Sequence, residues 1–411
     1  MPKEIAMIQP SSSLSIAVCG GGMAGLALAT LLAREGHRPI VFEARDEPAT
    51  LTEGAFLTIA PNGRAALRGI GAAVEAEALA AGMPTRAIEI ANHRGKRLAC
   101  IDQGDGGSQP VDSITIARGA LAGVLARAAR AAGAEIRYGV RLRGAVERSE
   151  AVLLDFGRDG TLSFDLVAAA DGLSSAVRAA IFPAFPRPRY TGIVGTGGIV
   201  DVPGVAPTDG VMRMTFGRRA YFGYQKTGDG PVLWFNSFPV DEADVGEVDD
   251  PASFAAHLRD LHAGDPDPIG RILAAVPAVE RCYPIHDLPP LATWHTRRIV
   301  LLGDAAHAVA PHAGQGASMA LEDAVVLAAC LQDATTPLAA FIRFERLRKD
   351  RTEAVMEIAR RNGARKMAQS APAIFLRDLL LPLAIPFGMK AARRVMAFHV
   401  DRTPLAQPPA I

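Results

Sequence analysis

Leu14-Ser15-Ile16-Ala17-Val18-Cys19-Gly20-Gly21-Gly22-Met23-Ala24-Gly25 is an apolar run that closes on glycines, and its reading decides the fold. An apolar run of this length suits a buried parallel strand feeding a helix. Gly20, Gly22 and Gly25 form Gly-x-Gly-x-x-Gly, in which glycines permit a tight turn, close backbone approach to a pyrophosphate and close packing of helix on strand. Met23, Leu26, Ala27, Leu31 and Leu32 follow at helical spacing, and Gly36 is placed to stop the helix. Pro39 to Phe42 read as the next strand. Glu43 ends it, about 20 residues past the glycines, where a carboxylate can accept ribose hydroxyls. Strand, glycine turn, helix, strand and acid in that order make a dinucleotide site.

A chain of 411 residues holds two or three domains around this unit. Lys and Arg number 44 against 43 Asp and Glu, so the basic excess of a nucleic-acid binder is missing. Cys19, Cys100, Cys282 and Cys330 are scattered, without metal-ligand spacing. They read as reduced packing residues of a cytoplasmic protein, with neither a disulfide framework nor a metal. The residues before Ser13 lack a signal-peptide core and read as a leader to the first strand. The most apolar late stretch, Leu379 to Met389, is 11 residues long and contains Pro382 and Pro386. A membrane span needs about 20, so no transmembrane segment is expected.

Further along, small helices are expected over Pro61 to Ala81 and a strand over Arg86 to Asn92. Arg118 to Ala132 is a strong helix that Gly133 stops. From Pro183 to Pro290, strand-like runs between Gly and Pro turns predict a largely antiparallel sheet. The run Asp241 to Asp250, six carboxylates with no cation, reads as a solvated loop. Arg298 to Leu302 returns as a buried strand, followed by helices near Gly316 to Leu331 and Pro337 to Arg361. The fold expected is mixed α/β: a Rossmann-like dinucleotide domain, an inserted antiparallel-sheet domain and a C-terminal helix. The boundaries are 14–182 (with 84–112 contributing to the inserted domain), 183–290, 291–361, and a tail of 362–411.

Two further motifs narrow the cofactor. Leu166 to Ala170 is a strand ending in Asp171-Gly172, before a Ser-capped helix. Ile299 to Leu302 is another, ending in Gly303-Asp304, and Pro311-His312-Ala313-Gly314-Gln315-Gly316-Ala317 follows it. With these motifs the chain resembles the class A flavoprotein monooxygenases, the aromatic hydroxylases of the p-hydroxybenzoate hydroxylase fold, from residue 14 to about residue 360. The resemblance implies FAD, with Gly20, Gly22 and Gly25 at the pyrophosphate, Glu43 at the ribose and Arg45 beside the adenosine. Arg118, Gly303 and Asp304 would serve the ribityl-pyrophosphate region. Asp171 and Gly172 would serve both FAD and a visiting NADPH or NADH.

Gly314, Gln315, Gly316 and Ala317 open a helix whose free N–H groups could face the reduced flavin ring, with Pro311 at its edge. The resemblance implies NAD(P)H reduction, O₂ addition at flavin C4a and oxygen transfer from that hydroperoxide to an aromatic or polycyclic small molecule. Arg219, in Gly217-Arg218-Arg219-Ala220-Tyr221-Phe222, matches an arginine that relatives present to flavin or substrate, or is a sheet-surface cation. His312 either contacts substrate or is structural. Urate-hydroxylating relatives carry an acid there, which argues against urate. Tyr221, Tyr224, Trp234 and Phe235 line a pocket or fill a core.

A halogenase of the same fold is the alternative, but Trp234-Phe235-Asn236-Ser237-Phe238-Pro239 lacks the second Trp and the Ile of the halogenase motif. A flavin reductase or dehydrogenase and a non-catalytic flavin-binding protein are the others. The tail from Arg360 carries nine Lys and Arg against two acids. It reads as a helix bridging the domains or as a weak membrane-surface element. Oligomeric state is open.

Overall fold

The computed structural model describes residues 13–52, 56–104, 111–367, 370–398 and 400. The leader before Ser13 and the last eleven residues lie outside them.

Five parallel strands make the central sheet, in the order Ile299–Leu301, Leu166–Ala169, Ser15–Cys19, Arg38–Glu43 and Glu135–Tyr138. Ile16 to Cys19 are almost wholly buried, as an apolar central strand requires. The helix Met23–Arg34 packs between Arg118–Ala132 and Gly316–Asp333. Leu26, Leu28, Leu31 and Leu32 are fully buried in that layer. Gly36 (φ +86°) turns the chain just past the helix end, a left-handed conformation that glycine adopts without strain. A meander of Gly144–Glu147, Val152–Asp155 and Thr161–Phe164 brings Phe156 against Phe42, with ring centroids 4.4 Å apart.

A second sheet has seven strands, ordered Tyr283–Asp287, Arg189–Val200, Val232–Pro239, Tyr221–Lys226, Val211–Phe216, Ala87–Asn92 and Arg97–Asp102. Only the pairing of Val211–Phe216 with Ala87–Asn92 is parallel. A small third sheet, Phe56–Ile59, Ser113–Ala117 and Met83–Thr85, lies beside the dinucleotide layer.

The region expected as a largely antiparallel sheet also contains helices Pro251–Leu261 and Ile269–Ala274. The acidic run Asp241 to Asp250 is the exposed loop expected, with one short turn at Glu242–Asp244, and Asp250 at its end caps the first of these helices by accepting the Ala252 N–H. These helices cover Phe222, Trp234 and Tyr224 on one face of the second sheet. A long last helix, Ala371–Met396, lays Leu381 into a cluster with Ile90, Leu98, Phe216 and Tyr221 on the other face. Beyond it, Phe398 stacks on the Arg351 guanidinium in the dinucleotide layer, so the tail touches both sheets' surroundings. Among the described residues no helix is long and apolar enough to cross a membrane.

Candidate active site

Three neighbouring strands of the central sheet end at one edge. The Ala170 N–H donates to Cys19 O at 2.7 Å and the Leu302 N–H to Ala169 O at 3.0 Å, which draws Gly20–Gly22, Asp171–Gly172 and Gly303–Asp304 side by side. Open parallel sheets bind ligands beyond the carboxyl ends of their strands.

The glycines there do different work. A Cβ on Gly20 (φ +107°) would lie 2.2 Å from Ala170 O, and one on Gly25 would lie 2.0 Å from Gly20 O. Both are glycine because backbone passes where a side chain would stand. Gly22 caps the helix with nothing within 4 Å of its Cβ position, so the space above it is free for a ligand. Glu43 braces the loop. Its Oε2 accepts the Gly21 N–H at 2.8 Å, while Oε1 accepts the Arg45 N–H and the Arg45 Nε, each at 3.0 Å.

Asp171 Oδ2 accepts the Val177 N–H at 3.1 Å, and Ser175 caps the short helix Ala176–Ile181. Asp171 Oδ1 is buried with no hydrogen-bond partner among the described residues, as expected of an acceptor reserved for a ligand. Burial raises the Asp171 carboxyl against the pull of these hydrogen bonds. Asp304 reaches solvent, yet the protein packed around it raises its carboxyl by desolvation, with His307 and Arg118 pulling the other way. Arg118, the exposed first residue of its helix, therefore stands within electrostatic range of Asp304.

Beneath this edge lies an ion network that sequence reading missed. Glu322, Asp323 and Arg348 are all fully buried, with Arg348 2.6 Å from Glu322 and 2.7 Å from Asp323. Asp323 Oδ2 also accepts the Gly303 N–H at 2.8 Å and lies 2.6 Å from His307 Nε2. Glu322 takes Arg351 and the Asn62 amide, each at 2.7 Å, and Asn62 also donates to Gln315 Oε1 at 2.9 Å. Gln315 thus turns its side chain inward. The signal available was Glu322-Asp323 inside the otherwise apolar helix Gly316–Asp333.

A single turn, Pro311–Ala313, and Gly314 (φ +61°) lead into that helix. The His312 ring lies on Gly363, where a Cβ would come 2.6 Å from its Cδ2. Both ring nitrogens are buried without hydrogen-bond partners among the described residues. Burial first, then nearby Lys366, lowers His312 to about 3, so its imidazole is neutral. Lys366 Nζ stands 4.0 Å from the centre of the Tyr221 ring and 3.4 Å from Ser237 Oγ. Tyr221 faces Phe235 at 6.0 Å, and Phe235 faces Phe56 at 6.1 Å. These residues form an aromatic wall beside the turn.

Alternation along the sheet divides the four expected aromatics. Tyr221 and Phe235 join this wall, while Tyr224 and Trp234 point into the core under the two helices. Arg219 stands apart. It is 45% exposed on the turn before Tyr221, and its guanidinium is bound to Asp260 at 2.9 Å, an arrangement that favours the second of its two readings, a sheet-surface cation. The cause is its place at the hairpin end, beside the helix Pro251–Leu261.

Strand ends that bring a glycine loop and two acidic turns to one edge, with a second sheet inserted in the chain, define a dinucleotide-binding protein of mixed α/β architecture. The chain belongs to the FAD binding domain family, which it matches over residues 13–219 and 290–362. It is 31% identical over 377 residues to the aurachin C monooxygenase/isomerase of Stigmatella aurantiaca, covering 90% of this chain and 94% of that protein. It is also 31% identical to the 6-hydroxynicotinate 3-monooxygenase of Bordetella bronchiseptica, over 84% and 91% of the two chains. Klebsiella pneumoniae HpxO, solved with FAD and uric acid, superposes with a TM-score of 0.80 at 25% identity, over 93% of this chain and 96% of that one. Relatives of this kind are FAD-dependent monooxygenases, and FAD is the cofactor of the family.

Proposed function

We propose that the chain is an NAD(P)H-dependent FAD monooxygenase that hydroxylates an aromatic or polycyclic small molecule with O₂. The observation that carries this reading is the delivery of Gly20–Gly22, Asp171–Gly172 and Gly303–Asp304 to one sheet edge, with open space above Gly22 and an unpartnered acceptor on Asp171. That cradle fits FAD. Gly20, Gly22 and Gly25 would hold the pyrophosphate, Glu43 would take the adenosine ribose with Arg45 beside the adenosine, and Arg118, Gly303 and Asp304 would serve the ribityl-pyrophosphate region. Asp171 and Gly172 border both FAD and the visiting reductant. When bound, FAD supplies hydride acceptance and the activation of O₂.

This chain's residues do the rest. The N–H groups of Gly316 and Ala317, at the start of an 18-residue helix, carry positive potential and would favour negative charge on a flavin ring bound there. Gln315, tied by Asn62, holds that helix start in place, and Gly314 leaves no Cβ in the way. Pro311 and His312 border the substrate, and a neutral His312 can accept or donate one hydrogen bond. Tyr221, Phe235 and Phe56 shield the site from water. The division into a dinucleotide part, 14–182 with 291–361, and a substrate part, 183–290 with 84–112, follows from this reading. Free thiols at Cys19, Cys100, Cys282 and Cys330 fit a reducing compartment such as the cytoplasm.

The test is a substrate panel scored by stimulated NADPH and NADH oxidation, with products weighed for one added oxygen. A colourless protein, or one whose substrates gain no oxygen, overturns the proposal. Halide-dependent chlorination would replace it with the halogenase reading.

A further inference from the structure

Resting on the site just described, we propose that Lys366 is the anion anchor of the substrate pocket and that the substrate is an aromatic acid whose carboxylate binds this ammonium. Lys366 lies in the single turn Arg365–Met367 that follows the helix Pro337–Ala364. From there its side chain passes over Tyr221 to Ser237, on the strands Tyr221–Lys226 and Val232–Pro239. An ammonium has three N–H donors. Here one makes a long hydrogen bond to a hydroxyl, and the ring face fixes the group without using donors. No carboxylate pairs with it among the described residues.

The other covered cations are treated differently. Arg348 is held by two carboxylates, and Lys226 donates to the carbonyls of Val202 and Val205. A partly buried charge without a counter-ion is costly, and an arriving anion removes that cost. Lys366 is only partly covered, so a ligand can reach it.

Its surroundings leave the charge to Lys366 alone. His312 is neutral, and burial raises the Tyr221 hydroxyl far above the working range. Ser237 does not titrate, and Arg365 on the same turn is exposed and bound to Asn362. Burial lowers Lys366 itself to about 7. The charged form binds a carboxylate, so affinity for acids should fall as pH rises above about 7.

The experiment uses the flavin-loaded full chain and calorimetric binding of benzoate, 4-hydroxybenzoate and 6-hydroxynicotinate, each against its neutral carboxamide. At pH 7 at least one acid should bind about tenfold more tightly than its amide, as expected of a charge-assisted contact. In Lys366→Met that ratio should fall to within about twofold, with bound flavin and Tm unchanged. In Lys366→Arg it should persist to pH 9, where the parent has lost most of it. Acids that bind no better than amides, or not at all, overturn the proposal, as does a ratio that survives in Lys366→Met. If Lys366→Met does not fold, an identical pH dependence in the parent and Lys366→Arg overturns it. Binding needs no turnover, so failure of the monooxygenase reading would appear separately, as absent flavin or unchanged NAD(P)H consumption.

Discussion

Asp323 Oδ2 lies 2.6 Å from His307 Nε2 and also accepts the Gly303 N–H at 2.8 Å, while Oδ1 lies 2.7 Å from Arg348 Nε. One carboxylate therefore ties the Gly303–Asp304 turn to the helix Pro337–Ala364. Replacing Asp323 with Ala leaves Arg348 buried beside a single acid, and breaking a buried pair costs about 3–5 kcal/mol. The expected result is a lower Tm and loss of bound flavin together, read by calorimetry and by the absorbance of the purified protein.

Acid should act on the same network. Burial alone would raise Asp323, but His307, Arg348 and the Gly303 N–H outweigh it and hold the carboxyl at about 2, below its ordinary value. A carboxyl depressed by folding contributes stability that is full above its unfolded pKa of about 4 and lost as pH falls toward 2. Unfolding should therefore steepen between about pH 4 and 2. An Asp323→Asn protein should show a flatter acid limb in urea titrations across that range.

The glycines of the first motif should separate folding from cofactor binding. Gly25→Ala puts a Cβ 2.0 Å from Gly20 O and should yield little soluble protein. Gly22→Ala meets no protein atom within 4 Å and its extended backbone suits alanine. That variant should keep its unfolding midpoint in flavin-free form yet bind FAD at least about tenfold more weakly, measured by flavin fluorescence.

Gly363→Ala should act on substrate rather than flavin. Its Cβ would stand 2.6 Å from His312 Cδ2 and push the ring away. KM should rise about tenfold with flavin content unchanged. Because His312 is held near 3, no limb of the activity profile between pH 5 and 9 should vanish in His312→Asn.

Arg219→Ala should be nearly silent. An exposed ion pair such as Arg219 with Asp260 is worth at most about 1 kcal/mol. Activity within about twofold of the parent, measured as kcat/KM, is the expected outcome.

The dinucleotide half was legible in the chain because its signals are local. Gly20 to Gly25, Glu43, Asp171 and Gly303-Asp304 each sit where a strand ends, and strand ends show as apolar runs closing on glycine. The ion network was not legible, since Asp323 meets Arg348 and His307 only through the tertiary fold. Lys366 was hidden for a different reason: in a tail rich in Lys and Arg, one lysine among many reads as a solvated charge. Arg219 stayed open between two readings because its neighbours Tyr221 and Phe222 are in the sheet while it is on the turn before them. The two helices after Asp250 carried their own signal, a capping Asp before Pro251, and were overshadowed by the strands around them.

The central sheet finishes with its shortest strand, Ile299–Leu301, which pairs beside Leu166–Ala169 and carries Gly303-Asp304 to the cradle. A ribosome adding about 5–20 residues per second reaches that strand roughly 15–60 s after Gly20 has been made. During that interval the glycine turn exists without the third side of its cradle, while the strands of the inserted sheet, from Ala87 to Asp287, are being synthesised. Assembly of this protein is therefore ordered in time: the inserted sheet can form during synthesis, and the cofactor cannot be fully enclosed until the chain comes back.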